Sequence, residues 1–332
     1  MLPIFPENVF KTGGHAAAVL FLLSVVSNAQ QPPTIQTNVP LVLVPVTVTD
    51  RKGNFIDGLS VEDFLLTDDG ARQNVRMDTS DTVLAPVSLV AAVQCSGISA
   101  AVLAKIQRVG GMIQPLITGD RGRAAVIAFD DEVRIFQEFT SDSTKIRVAF
   151  EKIQPRTIRS GKMLDAAAES FRLLQTRPEN SRRILLILSE SRDRGSKMKL
   201  PQAVELAQRA GVTVYPATYS AYATPWTAKP EDNPPMPGGA DYIGGLIDLC
   251  RLGKINTADV FAQSTGGRHL SFETLLGLEN AITRAGEEIH SQYLLSFVPG
   301  DSKNEGFHHI AVAITSHPDA VVRARPGYWP SK

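Results

Sequence analysis

In this chain of 332 residues, Ser96 is the residue best placed to do chemistry. An apolar run from Val87 to Val93, broken only by Ser88, delivers it to a turn of small residues, Gln94-Cys95-Ser96-Gly97-Ile98-Ser99. A buried strand that ends in such a turn and leads into a helix is where an open α/β sheet holds its ligand. A hydroxyl there can attack a carbonyl or lend its oxygen to a cation. Attack needs a nucleophile elbow, whose flanking glycines permit the strained turn, and here Gln94 and Ile98 stand in the glycine places. It also needs a base. Of the six histidines, His15 falls in a leading apolar segment and His290, His308, His309 and His317 in the last helix and the terminal strands, which leaves His269 inside the sheet domain. A serine hydrolase using Ser96 is therefore the remote alternative, and the residues predict a protein that is not an enzyme. Asp130-Asp131 offers carboxylates to a cation or a partner, although Asp also favours a hairpin turn with no ligand. Tyr222 and Trp226, in a Pro-rich loop, are candidate partner contacts, since aromatic side chains dominate contact hot spots.

The elements that must carry these residues alternate between strand and helix from 85 to 290. Strands are predicted at Val87 to Val93, Ala124 to Phe129, Val133 to Phe139, Ile184 to Leu188, Val212 to Thr218 and Arg268 to Phe272. Helices are predicted at Ala100 to Ile117, Thr144 to Ile153, Met163 to Gln175, Pro201 to Ala210, Thr257 to Ser264 and Phe272 to His290. This order calls for an α/β fold, a doubly wound, mostly parallel six-stranded sheet with helices on both faces. The strand after the Asp130-Asp131 turn is its antiparallel member. A long insertion, 220 to 256, carries Pro225, Pro230, Pro234, Pro235 and Pro237 and leaves the same rim as Ser96. Segments 39–80 and 291–329 alternate like short strands with turn dipeptides such as Asp69-Gly70. Two or three strands cannot close a core alone, so the two segments are expected to join in one small β-sandwich flanking the central domain.

Bulk composition narrows the function classes. With 43% hydrophobic and 20% charged residues the chain is globular, and Lys+Arg and Asp+Glu both total 34. No basic stripe exists to gather nucleic acid. Lys11, the apolar run from Ala16 to Val26 and Ser27-Asn28-Ala29 have the form of an export signal over 1–29, followed by a polar linker over 30–38. That run is shorter than a bilayer span needs, and no later segment is longer. A periplasmic or secreted protein is expected. The two cysteines, Cys95 and Cys250, are expected to remain separate buried thiols, because Cys250 falls in the insertion.

Four short motifs carry a resemblance over some 290 residues. They are Val46-Thr47-Val48-Thr49-Asp50-Arg51-Lys52-Gly53, Leu59-Ser60-Val61-Glu62-Asp63-Phe64, Ala262-Gln263-Ser264-Thr265-Gly266-Gly267-Arg268 and Arg323-Ala324-Arg325-Pro326-Gly327-Tyr328. Together with the Ser96 turn they resemble the acidobacterial VWFA-related family of von Willebrand factor type A domains. The resemblance implies a metal-ion-dependent adhesion site, built from an Asp-x-Ser-x-Ser loop, a Thr in a second loop and an Asp after the fourth strand. In this sequence those places read Gln94, Ser96 and Ile98 (or Ser99), then Lys162, then Glu190, with Arg192 and Asp193 beside it. A hard cation needs the oxygens and carboxylates that these replacements remove. The resemblance thus implies a degenerate site with no Mg²⁺ or Ca²⁺ and no other cofactor, in which Lys162 and Glu190 form an ion pair. It also implies an exported binding or adhesion module with a protein or glycan partner. A metal-dependent adhesin with an atypical site is the alternative.

Overall fold

The structure is a computed structural model that describes residues 41–78, 85–178, 180–219, 242–251, 256–300 and 306–330. The leading apolar segment and linker, and Tyr222 and Trp226, lie outside the described residues. The chain begins with strands β1 (Val42–Thr49), β2 (Phe64–Asp68), β3 (Ala71–Arg72) and β4 (Arg76–Asp78). The central domain follows with β5 (Val87–Gln94), α1 (Ala100–Val109), β6 (Arg123–Phe129), β7 (Val133–Thr140), α2 (Ser143–Lys152), α3 (Met163–Gln175), β8 (Arg182–Glu190), α4 (Leu200–Arg209), β9 (Val212–Tyr219), α5 (Tyr242–Arg251), α6 (Thr257–Thr265), β10 (Leu270–Ser271) and α7 (Leu275–His290). The last strands are β11 (Tyr293–Phe297), β12 (His308–Ile314), β13 (Val321–Ala324) and β14 (Gly327–Tyr328).

The central sheet runs β10-β9-β8-β5-β6-β7. Its pairs are parallel except β6 with β7, which is the doubly wound order with its chain reversal between β5 and β8. Every residue of β5 is buried, as a parallel strand covered on both faces must be. Leu89, Ala91 and Val93 pack with Ile106 of α1, Phe150 of α2 and Ile282 of α7. Val90 and Ala92 meet Phe171 of α3, Val204 of α4 and Phe261 of α6 on the other face. Each of the larger side chains stabilises by about 1.5–3 kcal/mol relative to exposure and each alanine by less than about 1 kcal/mol, so the sheet is a rigid platform for the loops at its carboxyl edge.

The helix expected from Ala100 to Ile117 is shorter. Past Val109 the chain leaves the α-helical ladder, tightening into a 3-10 turn at Gly110–Met112 and then widening into a π turn at Gln114–Thr118. Gly110 lies so close to Phe150 that a Cβ would sit 2.7 Å from its ring-bearing carbon, and Pro115 has no N–H to continue the ladder. The apolar stretch inside the insertion is α5, whose Leu246 and Ile247 join the lower helix face.

Strands from both ends of the chain pair with each other. β1 lies between β11 and β13, and β2 pairs with β12, giving sheets β13-β1-β11-β4 and β14-β12-β2-β3. Val44, Val46, Leu66, Leu295 and Phe297 form the core between them. Glu288 of α7, fully buried, ties this sandwich to the central domain. It accepts from Arg268 Nε at 2.7 Å and Tyr215 Oη at 3.0 Å and pairs with Arg323 of β13. No helix among the described residues is long and apolar enough to cross a membrane.

Candidate functional site

The crevice at the chain reversal lies between the carboxyl ends of β5 and β8, at Gln94 and Glu190. Gln94, 1% exposed, spans it. Its Oε1 accepts the Glu190 backbone N–H at 2.9 Å and its Nε2 donates to Ser96 Oγ at 2.8 Å. The backbone donor fixes which end of the amide faces Glu190, because only the oxygen can accept. Gly161 of the second loop presses on the same amide, where a Cβ would lie 2.3 Å from Nε2. Gly97 N–H donates to Ile158 O at 2.7 Å, and a Cβ there would meet the carbonyl oxygens of Arg156 and Thr157 at 3.2 and 3.3 Å. Both glycines are therefore required by close approach of the loop over 156–161.

Ser96 and Ser99 are fully buried. Their hydroxyls lie 3.4 Å apart, and Tyr219 Oη, at the end of β9, donates to Ser99 Oγ at 2.7 Å. Burial pushes the Tyr219 hydroxyl up, so it remains a donor. Ile98 lies in the Gly97–Ser99 turn. Its side chain is outside the described residues.

The expected Lys162 to Glu190 ion pair does not form. Glu190 receives both arms of Arg194, with Nε at 2.7 Å and Nη2 at 2.9 Å, the bidentate geometry at which guanidinium outperforms ammonium. The loop sets this up: Gly161 and Arg194 form an isolated antiparallel bridge, which lays Arg194 back over the end of β8. Lys162 turns the other way, its Nζ donating to Asp131 O at 2.8 Å and its backbone N–H to Asp130 O at 2.9 Å. Asp193 is taken up in capping α3. Its Oδ1 accepts the Leu164 N–H at 3.1 Å and the Ser196 hydroxyl at 2.5 Å, meeting the unsatisfied donors of a helix start. Arg192 is exposed.

Asp130, fully buried, centres a second cluster. Arg134 Nη2 lies 3.0 Å from its Oδ2 and Arg156 Nη1 3.4 Å, and the Glu132 N–H donates to Oδ1 at 3.0 Å. Burial raises its pKa, but that N–H and Arg134 outweigh it and hold the carboxyl below the usual range. Cys95 Sγ sits 3.7 Å from the same carboxylate and 3.1 Å from Arg134 Nη2. Burial, reinforced by the Asp130 charge, pushes the thiol up to about 11, so it is protonated and a poor nucleophile at neutral pH. Cys95 and Cys250 are both free thiols. Asp131 is 37% exposed at the side chain.

These residues do not fit a hard divalent cation. An amide nitrogen points at Ser96 Oγ, both Glu190 oxygens serve Arg194, and an ammonium stands in the second loop. Mg²⁺ or Ca²⁺ requires several free oxygens, carboxylates first. Arg194, Arg134, Arg156 and Tyr219 are the residues around the crevice that motif reading passes over. The i,i+4 spacings Glu190 to Arg194 and Asp130 to Arg134 carry the signal for two of them.

No family model matches the chain, and no curated protein matches it. Solved structures do. Conserved hypothetical protein BatB from Bacteroides thetaiotaomicron is 16% identical, covering 61% of this chain and 98% of that one, with a TM-score of 0.44. An aerotolerance-related membrane protein from Bacteroides fragilis NCTC 9343, carrying multiple mutations to serines, is 18% identical, covering 60% and 98%, with a TM-score of 0.43. The SpRpn10 VWA domain is 12% identical, covering 59% and 94%, with a TM-score of 0.37. The strand order, the single antiparallel strand β7 and the crevice between β5 and β8 make the central domain von Willebrand factor type A-like in fold.

Proposed function

We propose that this chain is an exported, non-enzymatic binding module that meets a protein partner through the outer rim of its type A-like domain without a metal ion. The observation that carries this reading is the Gln94 side chain bridging Ser96 and the Glu190 backbone. It occupies the crevice with the protein's own groups, which leaves recognition to the loops around it. Arg192 and Lys197 are exposed on that rim, with Asp131 half-buried beside them. Export rests on Lys11, the run from Ala16 to Val26 and Ser27-Asn28-Ala29. Absence of catalysis rests on the surroundings of Ser96 Oγ, whose hydrogen-bond partners among the described residues are Gln94 and Ser99, neither of them a base.

A photo-crosslinking residue placed at Arg192 or Lys197 in the full chain tests this in the producing cell. A defined protein adduct is expected with chelator present, and none from Arg123, exposed at the opposite end of the sheet. An adduct that requires Mg²⁺, or that forms equally from Arg123, would overturn the reading. So would reaction of Ser96 with a fluorophosphonate probe.

A further inference from the structure

In the β-sandwich, remote from the Ser96 rim in sequence, two carboxylates converge on one ring nitrogen. His308 opens β12 and its side chain is 2% exposed. Its Nδ1 lies 3.1 Å from Asp68 Oδ1, at the end of β2, and 3.1 Å from Asp69 Oδ2, in the turn to β3. All three donor atoms fall within 4.8 Å of one another. We propose that Asp68, Asp69 and His308 bind one Zn²⁺, clamping the N-terminal β2–β3 turn to the C-terminal strand β12.

The geometry and the charge count point the same way. Zinc bonds of about 2.0 Å in a tetrahedron place neighbouring donors about 3.3 Å apart. The two spacings from His308 Nδ1, 3.1 Å each, need adjust by only a few tenths of an ångström, and rotation of the half-exposed Asp69 carboxyl closes the spacing between the two carboxylates, which lies within 4.8 Å. Nδ1 carries at most one hydrogen, which can satisfy one carboxylate and leaves the other facing like charge. Among the described residues neither aspartate pairs with Lys or Arg. A dication in place of that single proton would balance both. The outer oxygens are already held in the way that orients metal ligands: Tyr328 Oη donates to Asp68 Oδ2 at 2.9 Å and the His309 N–H to Asp69 Oδ1 at 2.9 Å. Asp69 is 42% exposed at the side chain, so one coordination position faces water and gives the ion a way in. An imidazole with two carboxylates favours zinc over Mg²⁺ or Ca²⁺, which prefer all-oxygen sets.

The test uses the full chain, stripped with chelator and titrated with ZnCl₂ by calorimetry and thermal melting. Asp69→Asn is the deciding variant, because Asn tolerates the left-handed backbone at this position (φ 47°) and keeps an acceptor for the His309 N–H. One zinc per chain is expected, with a rise in melting temperature, at least tenfold weaker binding in Asp69→Asn and unchanged binding in Asp259→Asn, which breaks the separate His269–Asp259 pair. MgCl₂ should produce no rise. His308→Gln should also lose the site; if that buried substitution fails to fold, Asp69→Asn still decides. Absence of zinc binding, equal affinity in Asp69→Asn, or loss only in Asp259→Asn would overturn the proposal.

Discussion

Replacing Gln94 measures how much the crevice depends on its amide. Gln94→Ala strips the acceptor from the Glu190 N–H, and Glu190 is 4% exposed, so water cannot easily take over. A buried backbone donor left without a partner costs about 1–3 kcal/mol. The removed atoms leave roughly 50 Å³, which at about 24 cal/mol per Å³ adds about 1 kcal/mol. The expected loss is about 2–4 kcal/mol, or a fall in melting temperature of about 3–7 °C for a chain of this size. Gln94→Met separates the two contributions: it fills most of the volume and accepts almost nothing, so it should still lose about 1–3 kcal/mol. Urea denaturation gives the totals, and hydrogen exchange at the Glu190 amide reports the site directly, slow in the wild type and faster in both variants. A Met variant as stable as wild type, with the Glu190 amide equally protected, would refute the bridge.

Two further substitutions and one titration extend the test. Arg194→Ala leaves the buried Glu190 carboxylate without its fork, and with Arg194 37% exposed and therefore partly screened, the cost should be about 1.5–3 kcal/mol. Lys162→Thr loses a single hydrogen bond to Asp131 O and should cost about 1 kcal/mol or less; the reverse order in urea melts would reinstate a Lys162–Glu190 pair. Burial raises the pKa of Glu288, but Arg323 and Arg268 outweigh it and hold the carboxyl below its ordinary value. A depressed folded pKa contributes stability that is complete above the unfolded value and is lost as pH falls through the folded one. Wild-type stability should therefore drop across the acid limb more steeply than that of Glu288→Gln, and parallel curves would contradict this.

The fold was legible where burial leaves few choices. The apolar run from Val87 to Val93, broken only by Ser88, reads as a strand covered on both faces, and the Asp130-Asp131 turn between two runs made the next strand antiparallel. The end of α1 was less legible. Gly110 and Pro115 each occur inside helices, and only the contact of Gly110 with Phe150 in the fold shows why the chain changes winding here. The site was half legible. Gln94 and Ser96 sit where the strand end puts them, but motif positions say nothing about where long side chains go. Lys162 lies on the loop beside the end of β8, where Glu190 sits, yet the bridge between Gly161 and Arg194 brings a better-matched cation to Glu190. The metal-like cluster at Asp68, Asp69 and His308 was invisible in one dimension, because its parts are 240 residues apart and meet only through the pairing of β2 with β12.

Gln94 changes what kind of rim this is. A cation at the crevice is a separable component: its occupancy follows its concentration, and whatever it orders is ordered only while it is bound. An amide attached to β5 has no such dependence, since its effective concentration is fixed by the chain. The loops that carry Arg156, Lys162 and Arg194 would then be held whether or not divalent ions are present, and on the proposed binding role a partner would meet a surface already arranged. Binding to such a surface avoids the ordering cost that a loose rim would impose. If the proposed binding role holds, chelator should leave it untouched, and the substitution that loosens Gln94 should weaken a rim-bound partner's grip even though Gln94 itself, buried beneath Gly161, is not on the surface.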